Sequence, residues 1–278
     1  MSAVGVRDRD ALDSALVALE AAGVDTPRLD AEVLLAHALG TDRAGLVRDP
    51  GRELDAEGTR WFRDAVRRRA VERVPVAYLV GSRGFRRIEL AVDERVLVPR
   101  PETEHLVEAA LGLPAGARVH DVGTGSGAVA LALKDERPDL VVSASDVSED
   151  ALAVARGNAA RLGLDVTFTR ADLLEGVGPD LDAVVSNPPY VAERDRRVLP
   201  PEVVRHEPAA ALFAGAEGLA AIRPLVTQAA ATRAAFLALE VGAGQAPAVR
   251  ALVAAASFPD VEVVRDLSGI ERVVVGRR

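Results

Sequence analysis

The chain has no cysteine, which excludes disulfides and thiolate metal sites. Lysine is nearly as scarce. Lys134 is the only one, and arginine carries the rest of the positive charge, a compositional bias with no functional signal of its own. No apolar run approaches the roughly 20 residues that a membrane-spanning helix needs. The opening MSAVGVRDRDALDSAL is charged where a secretory signal would be apolar. The expectation is a soluble, cytoplasmic protein with no membrane partner. His37, His105, His120 and His206 show no metal-ligand spacing, so no metal is expected. His120, although beside Asp121, reads as a packed or hydrogen-bonded strand residue. A Gly-x-Ser-x-Gly elbow and a phosphate-binding Gly-Lys-Ser/Thr loop are both missing, which leaves hydrolase and nucleoside triphosphatase readings unsupported. A basic surplus is missing as well: the formal charge is −8, whereas nucleic-acid enzymes usually present a basic surface. The run Arg67-Arg68-Arg69 reads as a solvated helix face.

What is present is enough apolar material for a sizeable core, 49% of 278 residues, in one large and one small domain. Residues 1–73 read as a small all-helical domain. Leu12, Leu16 and Leu19 mark a first helix that stops at Gly23. Thr26 and Pro27 can open a second, with Leu29, Val33, Leu34 and Leu39 in helical period. Asp55 can cap a third, Ala56 to Val71, with Trp61, Phe62, Ala65 and Val66 at core spacing. Residues 74–100 read as a β-hairpin linker, Val76 to Val80 and Phe85 to Val92 flanking Gly81-Ser82-Arg83-Gly84. Residues 101–278 alternate strand and helix, which implies a mainly parallel sheet covered on both faces. Its last two strands, Val261–Asp266 and Arg272–Gly276, are close enough in sequence to form an antiparallel hairpin.

Two segments carry chemistry. Asp121-Val122-Gly123-Thr124-Gly125-Ser126-Gly127 follows an apolar strand and opens a helix. Its glycines let backbone N–H groups approach a ligand, and the helix start adds positive potential. Asp146, at the end of the next strand, can accept hydrogen bonds from ribose hydroxyls. The pattern also satisfies the dinucleotide fingerprint, because Ala128 fits its last position. Two features favour S-adenosylmethionine over a nicotinamide cofactor. Asp121 would repel a pyrophosphate but attract a sulfonium and an α-ammonium. Asp172 can receive an adenine amino group, with Leu173 beside the ring.

The second segment, Asn187-Pro188-Pro189-Tyr190, follows the strand Leu181–Ser186, which should lie beside the glycine-loop strand. The Asn187 side-chain oxygen and the Pro188 carbonyl can accept the two hydrogens of an –NH2 group, and proline brings no competing donor. Holding both hydrogens aims the nitrogen lone pair at a methyl group. Tyr190 can pack its ring on a flat acceptor. Asn187, Pro188 and Tyr190 are therefore the catalytic candidates, with Pro189 completing the acceptor site. The tetrapeptide points to methylation of an amino or amide nitrogen without naming one substrate.

These residues resemble the peptide chain release factor N5-glutamine methyltransferases (the PrmC/HemK family). The likeness runs through Val98-Pro99-Arg100-Pro101-Glu102-Thr103-Glu104, the loop Asp121 to Gly127 and Val185 to Val191. It continues through Glu207-Pro208, Ala211 to Gly215, Gly218-Leu219 and Glu271-Arg272-Val273. The resemblance implies a Rossmann-like class I methyltransferase sheet behind a helical N-terminal domain that helps dock the substrate. It also implies transfer from S-adenosylmethionine, leaving S-adenosylhomocysteine, to the glutamine of a Gly-Gly-Gln motif in a release factor. Carried over by motif, Asp121, Gly123, Thr124, Gly125, Ser126, Gly127, Asp146, Asp172 and Leu173 would bind the cofactor, with Asn187 beside it. Asn187 to Tyr190 would hold the glutamine. Leu173 stands where some relatives carry an aromatic, and Gly84-Phe85-Arg86-Arg87 departs from the family's aromatic-rich pattern. Arg100 and Thr103 stay off the catalytic list, because Thr103 is as well suited to capping a helix. The alternative is methylation of adenine or guanine amino groups in nucleic acid, which would require base flipping and a phosphate grip. The negative charge and the lack of a DNA-reading domain speak against it. A monomer with no direct nucleic-acid contact is expected.

Overall fold

A computed structural model describes residues 6–278. Residues 1–5, where the expected helical domain begins, lie outside the described residues. The chain divides into two units, Met1–Gly81 with Pro200–His206, and Ser82–Leu199 with Glu207–Arg278.

The first unit holds helices α1 (Asp8–Ala21), α2 (Pro27–Ala38), α3 (Arg43–Arg48), α4 (Ala56–Arg67) and α5 (Val76–Val80). A short antiparallel pair, β1 (Val6–Arg7) and β2 (Glu53–Leu54), joins them. Asp55 caps α4 as expected, its side chain accepting from the Gly58 N–H at 2.7 Å. Thr26 precedes α2 but does not cap it; its hydroxyl donates to Asp30 Oδ1 at 2.9 Å. Leu19, Leu34, Leu35, Phe62, Ala65 and Val66 form the core of the unit.

Two expectations fail here. Arg67 and Arg68 are exposed, but Arg69 is buried at 5% exposure. It stands one turn beyond Ala65 and Val66 and two turns beyond Phe62, and so shares their apolar face. Its charge is met by Asp30 Oδ2 at 2.7 Å and Glu202 Oε1 at 2.9 Å, and Glu202 Oε2 also accepts from Arg73 at 2.9 Å. Glu202 belongs to the short helix Pro201–His206 (α9 in chain order), which packs with this unit although it lies far along the chain. His206 Nε2 lies 2.8 Å from the Glu72 carbonyl. The second failure is Val76–Val80, expected as a hairpin strand and found as helix α5. Five apolar residues without alternation suit either element. Pro75 at its start and Gly81 at its end, with φ of +76°, make it one helical turn.

The second unit starts with the hairpin β3 (Ser82–Phe85) and β4 (Ile88–Ala91). A 3-10 turn, Pro101–Thr103, leads into α6 (Glu104–Ala110). Then come β5 (Arg118–Val122), α7 (Ala128–Glu136), β6 (Val141–Asp146), α8 (Glu149–Leu162), β7 (Thr167–Arg170) and β8 (Ala183–Ser186). After α9 follow α10 (Ala209–Leu212), α11 (Ile222–Ala230), β9 (Phe236–Glu240), α12 (Ala246–Ala255), β10 (Asp260–Arg265) and β11 (Glu271–Arg277). The sheet has seven strands in the order β10-β11-β9-β8-β5-β6-β7. The pairs among β5 to β9 are parallel, and β11 is antiparallel to both β9 and β10. This is the Rossmann-like sheet with the expected antiparallel C-terminal hairpin. Strands β8 and β9 are buried along their whole length, as parallel strands covered on both faces should be. Val184, Leu237 and Leu239 pack there against Ile222, Leu225, Val226, Val249 and Val253 from the helices.

Register decides where the chemistry sits. Val122 aligns with Ser145 and Ser186, and Ser186 with Leu239, so the carboxyl ends of β5, β6, β8 and β9 finish along one edge. That edge is where open α/β sheets hold ligands.

One buried polar residue ties the hairpin to this edge. Asn158, fully buried on α8, donates to the Ala91 and Ser126 carbonyls at 3.0 Å each and accepts from the Ala91 N–H at 2.7 Å. Replacing it with alanine orphans three backbone groups. Asn158→Ala is expected to lower unfolding stability by about 2–3 kcal/mol in a urea titration; a change near zero would show that water takes over all three bonds.

Candidate active site

The glycine loop turns tightly because β6 catches it: the Gly123 and Thr124 N–H groups both donate to the Ser145 carbonyl, at 2.9 and 3.0 Å. Gly123, Gly125 and Gly127 have φ of +70°, +55° and +85°, which favours glycine at each. Their side-chain-free faces serve different ends. A Cβ on Gly123 or Gly125 would meet nothing within 4 Å, whereas one on Gly127 would lie 2.9 Å from Leu131 Cδ1 and 3.3 Å from Ala155 Cβ. The first two leave room in the cleft; the third lets α7 and α8 pack closely.

Around this loop lies a cleft of about 370 Å³, lined by Asp121, Gly123 to Ser126, Asp146, Asp172, Leu173, Asn187 and Pro189, with Arg100 and Thr103 from the segment before α6. Asp121 is 1% exposed; its Oδ2 accepts from the Thr124 hydroxyl at 2.6 Å and the Ala130 N–H at 3.2 Å. Burial pushes its carboxyl up to about 7, and the charge of Asp146 adds to the shift. Asp146 accepts from the Gly125 N–H at 2.9 Å through Oδ2 and from the Ser148 N–H at 2.9 Å through Oδ1. Asp172 is exposed at the rim, and Leu173 beside it has a φ of +54°. That is a strained conformation for a leucine, and it presents the Leu173 carbonyl to the Ser145 hydroxyl at 3.1 Å. The cleft's arginines, Arg95 and Arg100, are both engaged, by Asp93 and Glu207 at 2.6 Å each. The lining therefore has the electrostatics of a site for a cation rather than a pyrophosphate.

His120 does not face the cleft. Its Nδ1 lies 2.8 Å from the Ser143 hydroxyl and its Nε2 3.0 Å from that of Ser145, and burial lowers its pKa to about 4. It is a neutral packing residue.

The Asn-Pro-Pro-Tyr segment divides. Asn187 and Pro189 line the cleft, Pro188 is buried beneath them, and Tyr190 is half-buried against the core beside it. Asn187 donates its amide hydrogen to the Thr103 hydroxyl at 3.1 Å. Among the described residues nothing donates to the Asn187 side-chain oxygen or to the Pro188 carbonyl. Both acceptors are thus unused by the described residues. The Tyr190 carbonyl accepts from Gln245 at 2.9 Å, and Gly218 passes so close that a Cβ there would sit 2.1 Å from it. The Tyr190 hydroxyl donates to Glu240 Oε1 at 3.1 Å. Sequence reasoning left out Glu240, although a glutamate closing the apolar strand Phe236–Leu239 was a signal. It also set aside Thr103 and Arg100, which the structure places on the cleft wall.

Comparison with known proteins shows the family. The family profiles described as "PrmC N-terminal domain" and "Methyltransferase small domain" match residues 10–81 and 102–215. The chain is 44% identical to a release factor glutamine methyltransferase of Deinococcus radiodurans, over 97% of this chain and 98% of that one. It is 42% identical to the Koribacter versatilis protein of the same name, over the same shares. A methyltransferase structure from Pyrococcus furiosus superposes with a TM-score of 0.53 at 15% identity, covering 80% of this chain and 97% of that one, which speaks for the fold alone. On its identity to these relatives over nearly its whole length, the chain belongs to the release factor glutamine methyltransferase family.

Proposed function

We propose that this chain transfers a methyl group from S-adenosylmethionine to the side-chain amide nitrogen of the glutamine in the Gly-Gly-Gln motif of a peptide chain release factor. It would act in the cytoplasm as a monomer, with residues 1–73 docking the protein substrate and 74–100 linking them to the catalytic residues 101–278. The observation that carries the reading is the pair of unused acceptors, the Asn187 oxygen and the Pro188 carbonyl, at the end of β8 beside an acid-lined cleft.

The cleft suits the cofactor. The open faces of Gly123 and Gly125 give it room, and the lining offers carboxylates to a cation and to hydroxyls. Asp121, with Thr124, Ser126 and Gly127 framing the loop, would hold the methionine end. Asp146 retains lone pairs for the ribose, and Asp172 with Leu173 would receive the adenine. When bound, S-adenosylmethionine supplies an electrophilic methyl group on a sulfonium. The protein supplies alignment. Asn187 and Pro188 accept the two N–H hydrogens of the glutamine amide, which favours a pyramidal nitrogen and so strengthens toward the transition state. Pro189 and the half-buried Tyr190 ring wall the flat group. No general base is needed before transfer, because the nitrogen becomes acidic on methylation and loses its proton afterwards.

Incubation of a release factor with the enzyme and S-adenosylmethionine is expected to add one methyl to the central glutamine, read by mass spectrometry. Label entering duplex DNA or rRNA instead would sink this reading. Asn187→Ala is expected to bind cofactor within about twofold of the parent yet to lose about a hundredfold or more in transfer rate. Parental turnover by that variant would remove Asn187 from its role.

The Asp121 carboxyl also makes a pH prediction. Its pKa is raised to about 7, so it is ionised above that pH and neutral below it. A cationic ligand prefers the ionised form. Affinity for S-adenosylmethionine should therefore be full above pH 7 and fall as the pH drops, with a slope approaching about tenfold per pH unit. Calorimetry on the parent and on Asp121→Asn checks this: the variant should bind weakly, without that pH dependence. A flat profile in the parent would rule out contact between Asp121 and the cation.

A further inference from the structure

The acceptor turn is gripped at its far end by residues outside the cleft lining. Gln245, half-buried just before α12, donates through Nε2 to the Tyr190 carbonyl at 2.9 Å and to the Glu217 carbonyl at 3.4 Å. Its Oε1 accepts from the Gly242 N–H at 2.9 Å. All three partners are backbone groups. A carbonyl can only accept and an N–H can only donate, so a single orientation of the Gln245 amide satisfies both of its ends. The main chain of Gln245 is held as well: its N–H donates to the Gly242 carbonyl at 3.1 Å, and its carbonyl accepts from the Val249 N–H at 3.1 Å.

Two glycines make room for this grip. Gly218 is buried and has a φ of +74°. A Cβ there would lie 2.1 Å from the Tyr190 oxygen and 2.7 Å from Gln245 Nε2, against both the acceptor and the donor of the bond. A Cβ on Gly242 would lie 3.0 Å from Gln245 Oε1 and 3.1 Å from Tyr190 Cδ2. The Tyr190 hydroxyl is tied to Glu240 Oε1 at 3.1 Å, and the next N–H, that of Val191, donates to the Leu212 carbonyl at 2.8 Å. Tyr190 is thus fixed through its side chain and its main chain. At the other end of the turn, the Ser186 hydroxyl donates to the Val122 carbonyl at 2.7 Å.

The residues between these anchors are stiff. Ring closure fixes φ in both prolines, and Pro189 restricts the ψ of Pro188 to extended values. Between the Pro188 carbonyl and the Tyr190 Cα, the one soft torsion left is ψ of Pro189. A shift at Tyr190 is therefore passed to the Pro188 carbonyl instead of being absorbed on the way. We propose that Gln245 is the positioning residue of the acceptor turn: by holding the Tyr190 carbonyl it sets, through the Pro188-Pro189 arm, where the Pro188 carbonyl meets the substrate N–H. The proposal deepens the functional reading above and rests on it. Gln245 is not among the residues that line the cleft, and it acts on the substrate amide only through the turn.

The test uses Gln245→Met in the full chain, which keeps the length of the side chain and removes its hydrogen bonds. Its kcat should fall about ten- to a hundredfold, while KM for the release factor and the calorimetric Kd for S-adenosylmethionine stay within about threefold. Gly218→Ala, which drives a methyl group against the same bond from outside, should reproduce that split; if either variant fails to fold, the other decides. The double variant should be no slower than the slower single one, because both break one contact. A readout independent of substrate is fluorine NMR after labelling with fluorotyrosine. The chain has two tyrosines, Tyr78 and Tyr190, so Tyr78→Phe assigns the signals. The Tyr190 signal should shift or split in Gln245→Met. Parental kcat in Gln245→Met, a loss of cofactor affinity as large as the loss of kcat, effects that multiply in the double variant, or an unchanged Tyr190 signal would each overturn the proposal. A parent that fails to methylate any release factor would defeat the functional reading alone, leaving the fluorine signal to judge whether Gln245 holds the turn.

Discussion

Carboxylates buried at the carboxyl ends of parallel strands are the constraint on which this site depends. Asp121 lies one residue before the end of β5 and Glu240 closes the apolar run of β9, each 1% exposed. Removing a charge from water is costly unless donors replace the lost hydration. Each acid has therefore drawn local donors to itself: Thr124 and the Ala130 N–H for Asp121, and the Tyr190 hydroxyl for Glu240. The compensation is partial, since both carboxyls are held near 7. Those donors also build the site. The Thr124 bond braces the glycine loop, and the Tyr190 bond ties the turn after β8 to the end of β9.

The same logic explains why the two chemical segments face one another although they are far apart in sequence. Parallel pairing of β8 with β5, in register from Ala183 to Ser186, brings the Asn187 turn level with the glycine loop. Ser186 reinforces the match by donating to the Val122 carbonyl at 2.7 Å. On the far side of β5, Asp146 takes the Gly125 N–H, so the loop is held from both neighbouring strands.

Much of the architecture was legible in local patterns. The helix Glu149–Leu162 falls where its period places it, because Ser148 caps its start and Gly163 ends it in a left-handed conformation. The glycine loop and the Asn-Pro-Pro-Tyr turn were legible because each needs unusual residues in a row. The errors came where local information is degenerate. Val76–Val80 has no alternation to distinguish strand from helix. Arg69 was grouped with its exposed neighbours by type, when its spacing from Phe62 and Val66 set its side of the helix. Glu202 could not have been assigned to the helical unit at all, since the ions that claim it, Arg69 and Arg73, lie far away in the chain.

By itself the sequence determined the class of sheet, the order of its elements and the residue types that meet a cationic cofactor and an –NH2 group, because periodicity, caps and turn chemistry act over a few neighbouring positions. Tertiary structure decided which way the side chains of that site point. That Asn187 is bonded to Thr103, and that Tyr190 is tied to Glu240 rather than left free, are consequences of burial. Inside a packed core, each donor must find an acceptor contributed by another strand or turn, and no stretch of sequence contains both.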